Sequence, residues 1–164
     1  MNEASIIQYI IDAFDGVDVV YPEASGGPEI AWGDRFFIYD PDRNLEANRR
    51  FPFATIVTKD YGDFDHASNL NRPGVFRLNI GVSKDTYRSL FGPPPSSLGA
   101  AGAGDTGHDF TALDRLMPHP VYAPQSWVCI LNPSDATFQA VVRPLLADAY
   151  TLTVSRHAKR IARG

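Results

Sequence analysis

The sequence holds one cysteine, Cys129, among its 164 residues. A lone cysteine excludes an internal disulfide and makes a reducing, cytoplasmic setting the expectation. Long apolar runs are missing as well. None approaches the ~20 residues that span a bilayer, and the opening Met-Asn-Glu-Ala-Ser has no basic stretch like that of a signal peptide. No membrane partner is expected. Positive charge is in deficit: 15 basic residues face 19 acidic ones, a net charge of −4. That balance argues against a dedicated nucleic-acid binder, whose affinity needs clustered cations.

The signatures of several chemistries are also lacking. There is no Cys-x-x-Cys, His-Glu-x-x-His, Gly-x-Gly-x-x-Gly, P-loop or Gly-x-Ser-x-Gly. Residues 60–66 (Asp-Tyr-Gly-Asp-Phe-Asp-His) gather carboxylates but lack calcium-loop spacing and its distal glutamate. No metal and no cofactor is therefore expected. No motif recurs at fixed spacing, which excludes a repeat protein.

What is present is ordinary globular material with many rings: 44% hydrophobic, 21% charged and 12% aromatic. The length suits one domain, large enough to fold without staples. Ile6, Ile7, Ile10, Ile11 and Phe14 recur at helical spacing, so residues 3–14 read as a helix. Strands are expected at 17–21, 35–40, 53–59, 75–82 and 126–131, and a strand or short helical turn at 109–117. Segment 22–33 reads as a loop. Strand 75–82 alternates cleanly, with Phe76, Leu78, Ile80 and Val82 on one face and Arg77, Asn79 and Gly81 on the other. Ser83 caps a short helix over 84–91, and Ser134 caps a final helix in which Pro144 should produce a kink. Short connections between the early strands favour antiparallel pairing. The fold class is α+β: a single antiparallel sheet flanked by N- and C-terminal helices. Segment 92–107, rich in glycine, proline and alanine, reads as a flexible lid or binding loop, and 157–164 as a basic tail.

The order of Arg77-Leu78-Asn79, the helix over 84–91, His119-Pro120, the strand through Trp127 and the helix carrying Ala149-Tyr150 resembles the MmcQ/YjbR-like family. Within it, residues 51–55 (Phe-Pro-Phe-Ala-Thr), 77–82 (Arg-Leu-Asn-Ile-Gly-Val) and His119-Pro120…Trp127-Val128-Cys129 resemble a bacterial domain-of-unknown-function family. The resemblance covers roughly 53–156. It implies a frataxin-like α+β sandwich, and by fold analogy a DNA-binding role. The His/Lys-rich segment usual before the tryptophan is here residues 121–126 (Val-Tyr-Ala-Pro-Gln-Ser), without cations.

Candidate site residues follow from residue chemistry. Arg77 can fork onto a polar group and Asn79 can both donate and accept, so both are candidate ligand-binding residues. Tyr122 and Trp127 would supply an aromatic wall for a small molecule. His108, at the end of the glycine-rich segment, and His119, stiffened between two prolines, are the candidate proton-transfer residues. Cys129 reads as an inert buried thiol. The expected function is small-molecule binding in a sheet-face pocket, with or without chemistry. The competing classes are a DNA-binding module and a protein-interaction module or homodimer.

Overall fold

In the computed structural model, which describes residues 1–96 and 107–163, six strands form one antiparallel sheet. They are β1 (Val17–Val20), β2 (Arg35–Tyr39), β3 (Ala54–Val57), β4 (Arg77–Gly81), β5 (Met117–Pro118) and β6 (Trp127–Leu131), ordered β1-β2-β3-β4-β6-β5. The α+β class expected from the sequence is the class observed.

Helix α1 (Glu3–Ala13) starts where the Asn2 side chain accepts the Ser5 N–H at 2.8 Å. Its buried stripe is narrower than the periodicity predicts. Ile6, Ile10 and Phe14 are buried in the core and Ile7 packs against it half-buried, whereas Ile11 is exposed on the far side of the helix. The expected loop over 22–33 contains a one-turn helix, α2 (Pro22–Ser25), closed by Gly26 in the left-handed region, and a 3₁₀ turn at Glu29–Ala31. Proline preset at N1 explains the first of these.

Helix α3 (Lys84–Phe91) is capped by Ser83 as expected, and Asp148 from the last helix accepts from Ser83 N–H and Thr86 O–H. The C-terminal helical run comprises α4 (Asp135–Thr137), a π-helical segment at Phe138–Val142 and α5 (Arg143–Arg163). The π segment lies where Pro144 was expected to disturb the helix. A proline ring collides with the carbonyl four residues earlier, and the wider π turn moves that carbonyl aside. The basic 157–163 stretch is the C-terminal end of α5, where cations suit the helix dipole. Residues 109–117 hold an isolated bridge from Leu113 to Leu131 and lead into the two-residue β5 at the sheet edge, where Pro118 needs no ladder donor.

The period-2 pattern divides the sheet. Phe37, Ala54, Ile56, Leu78, Ile80, Val128 and Ile130 meet α1 and α5 in the main core. On the opposite face one rung crosses all six strands: Val20, Phe36, Thr55, Asn79, Cys129 and Met117 are successive register partners. Among the described residues no long helix packs against this rung, although α2 and the C-terminal half of α5 contribute lining residues to a groove beside it. A second cluster (Val57, Leu70, Phe110, Met117, Cys129, Leu131) seals part of this face beneath residues 58–76 and 110–117. The rest of the face forms that groove.

Candidate functional site on the open sheet face

The floor of the groove is polar and almost dry. Arg77 has no solvent exposure, yet it sits on a strand as the alternation requires. Burial of a guanidinium is tolerable only when its N–H groups are used. Nε donates to Asn79 Oδ1 at 2.8 Å, and Nη1 donates to Ser68 Oγ at 3.0 Å and Asp65 Oδ1 at 3.1 Å. Nη2 completes a fork on Asp65 through Oδ2. Asn79 passes the network to Thr55, donating to its hydroxyl at 2.9 Å.

His119 is the other buried member, at 2% exposure. Its Nδ1 accepts the N–H groups of Val121 at 3.0 Å and Tyr122 at 2.9 Å. Burial, reinforced by the Arg77 charge, holds its pKa well below the usual 6.5, so the ring is neutral. A neutral ring whose Nδ1 accepts carries its proton on Nε2. That Nε2 lies 3.3 Å from Arg77 Nη2, which is also a donor. Two donors therefore face each other at the floor.

The walls are aromatic. Tyr122 lies 5.0 Å from His119, 6.1 Å from Phe64 and 6.4 Å from Trp127, centroid to centroid. Trp127 crosses Gly81, its register partner. Phe51 and Phe64 are 69% and 61% exposed, far more than isolated phenylalanines need be, and both line the groove. Tyr61 is pinned by donating its hydroxyl to the buried Asp34 carboxylate, which also accepts from Thr58 N–H at 2.8 Å. Burial pushes the Asp34 pKa up, and the Tyr61 phenol is raised as well, first by burial and then by Asp34. The rings of Phe51, Tyr61, Phe64, Tyr122 and Trp127 line a cavity of about 1000 Å³ to which residues of α2 and α5 also contribute.

Five of the six predicted site residues thus converge: Arg77, Asn79, His119, Tyr122 and Trp127 line one cavity. His108 is not among its lining residues; its ring lies against Phe91 at 5.7 Å and Phe110 at 6.2 Å. The lid expected at 92–107 falls largely on 97–106, outside the described residues, and neither described end of it lines the groove. Cys129 is buried, with its thiol pushed up to about 12 by desolvation.

Sequence reasoning missed Asp65, Ser68 and Thr55. A clue was available for the first. An arginine in the middle of an otherwise apolar sheet demands a carboxylate, and the connector between β3 and β4 offers three, at Asp60, Asp63 and Asp65. Asp65 takes the arginine, and Asp60 Oδ1 accepts the Leu70 N–H instead. Among the described residues no group of three or more His, Cys, Asp or Glu side chains could hold a metal ion. Nor, among them, is any helix long and apolar enough to cross a membrane.

The molecule is therefore an α+β protein with helices on one face of an antiparallel sheet and an aromatic-walled groove on the other. The chain belongs to DUF6194, a family of unknown function whose profile matches residues 1–162. No curated protein and no solved structure matches it.

Proposed function

We propose that the open sheet face binds a small neutral molecule with a flat apolar body and a carbonyl-type oxygen at one end. The observation that carries this reading is the pair of facing donors, His119 Nε2–H and Arg77 Nη2–H. A single oxygen acceptor between them would satisfy both, and an unsatisfied buried donor is costly. The Asp65 carboxylate already neutralises Arg77, so the floor favours a dipole over a second anion. The rings of Tyr122, Trp127 and Phe64 suit a planar body. His119 serves as a fixed donor. Its depressed pKa and committed Nδ1 favour binding over proton shuttling, and no reaction is proposed.

The kinship to the MmcQ/YjbR-like fold is likewise a proposal. What supports it is the order of the Arg77-Leu78-Asn79 strand, His119-Pro120 and Trp127, together with an α+β sheet backed by terminal helices.

The test is a thermal-shift screen with neutral aromatic amides and lactams, each paired with its carboxylate analogue. A hit at 100 times its Kd should stabilise the protein by about 2.7 kcal/mol, roughly 5–11 °C at this size. Trp127→Phe and Tyr122→Ala should shrink the shift, and the carboxylate analogues should bind less well. Hits that ignore both substitutions, or no hits at all, overturn the reading.

A further inference from the structure

We infer that the recess beside the C-terminal half of α5 is an anion site for a small molecule carrying clustered phosphate groups. This site adjoins the groove but shares no residue with its Arg77–His119 floor, and it does not depend on how that floor is used.

Arg156, Lys159, Arg160 and Arg163 fall at i, i+3, i+4 and i+7, which places all four on one face of α5. Arg49, from the 3₁₀ turn at Ala47–Arg49, joins them, and the five side chains alone line a recess of about 430 Å³. Among the described residues none of the five forms an ion pair. The contrast within one loop is informative. Arg43 and Arg50, neighbours of Arg49, are both paired: Arg43 with Asp18 at 2.6 Å, and Arg50 with Asp18 at 2.6 Å and Asp40 at 2.7 Å. Those pairs clamp the loop and hold Arg49 opposite the helix without neutralising it.

Like charges at i, i+4 on a helix repel. The helix dipole offsets this only in the last turn, which accounts for Arg160 and Arg163 and leaves Arg156 and Arg49 unexplained. A second observation points to a missing partner. His157 lines the adjoining groove, edge-on to Tyr39 at 5.2 Å, and both its ring nitrogens are buried with no hydrogen-bond partner. Arg49, Arg156 and Arg160 line that groove too, so a phosphorylated molecule seated on the cations would have its organic part near Tyr39 and His157.

The stripe favours a small ligand over a duplex. Seven residues of helix span only about 10 Å, whereas tight duplex binding draws on roughly 6–10 phosphate contacts. The chain's net charge of −4 also repels an extended polyanion.

The probe is inorganic tripolyphosphate, titrated calorimetrically into the whole chain at low and at physiological salt. Binding that weakens with salt is expected. Arg156→Gln with Arg160→Gln should weaken it by about tenfold or more, since each removes a charge-assisted contact. Arg88→Gln with Arg115→Gln changes net charge equally, away from the recess, and should leave binding intact. These cations are mostly exposed, so the variants should fold; circular dichroism checks it. The inference is overturned by absent binding, by equal weakening in the control pair, or by a short DNA duplex or anionic vesicle that binds more tightly than tripolyphosphate.

Discussion

Trp127 and Gly81 are register partners on the open sheet face, and the indole occupies the space a Cβ at position 81 would need. Such a Cβ would stand 2.8 Å from Cε2 and 2.9 Å from Cζ2 of the ring. Glycine is required here by close approach, not by an unusual φ. The wall of the groove is thus set by a missing side chain on the neighbouring strand.

Gly81→Ala should therefore push the indole off the sheet without straining the backbone. Overpacking of this kind costs about 1–3 kcal/mol. In a Trp32→Phe background, the remaining Trp127 emission should shift and its quenching by acrylamide should rise. An unchanged spectrum would show that the ring does not rest on Gly81.

The Arg77–Asp65 fork makes a second prediction. Asp65→Ala leaves a fully buried guanidinium uncompensated, a change that costs about 3–5 kcal/mol. The melting temperature should fall by roughly 6–20 °C. Replacing both partners, Arg77→Met with Asp65→Leu, should recover much of the loss, because a buried pair often contributes little over a well-packed apolar one. If the double variant is no better than the single one, Arg77 has a role beyond holding residues 58–76 to the sheet.

His119 governs a pH window. Its pKa is held below 6.5 in the folded chain, so the unfolded chain binds its proton first. Protonation then favours unfolding, and stability should decline as pH falls below about 6.5. Asp34 has the opposite sign: its raised pKa makes the folded chain take up protons more readily at the acid end. Urea melts at pH 7 and at pH 5.5, run on the native chain and on His119→Gln, separate the histidine from Asp34, whose contribution is common to both chains. The decline should be clear in the native chain and much reduced in His119→Gln. Equal slopes would place the proton elsewhere.

The sheet was legible because its signals are local. Strand alternation in 75–82 assigned Leu78 and Ile80 to the core and Arg77 and Asn79 to the opposite face, and helical spacing marked Ile6, Ile10 and Phe14. Antiparallel pairing of consecutive strands holds from β1 to β4, whereas the place of β6 beside β4 could not be read, because the segment joining them is long. The partners of Arg77 could not be read either, because Asp65 and Ser68 reach it across a long connector whose path depends on tertiary packing. The same holds for Asp34 and Tyr61, 27 residues apart. His108, read from its place beside a glycine-rich segment as a hinge residue, has its ring against Phe91 and Phe110 and does not line the groove.

Phe51 and Phe64 offer the cleanest separation of binding from stability. Rings that are 69% and 61% exposed contribute little to folding, so Phe51→Ser with Phe64→Ser should change stability by no more than about 1 kcal/mol. Both nevertheless line the groove, and their removal strips apolar surface from its rim. Nile red, a neutral dye that brightens in apolar surroundings, provides the measurement. Its fluorescence should rise with the native chain and fall back towards free dye with the double variant, while the urea midpoints nearly coincide. A large loss of stability would mean that the rings are packed parts of the fold. Unchanged dye binding would mean that the groove is not where apolar molecules lodge.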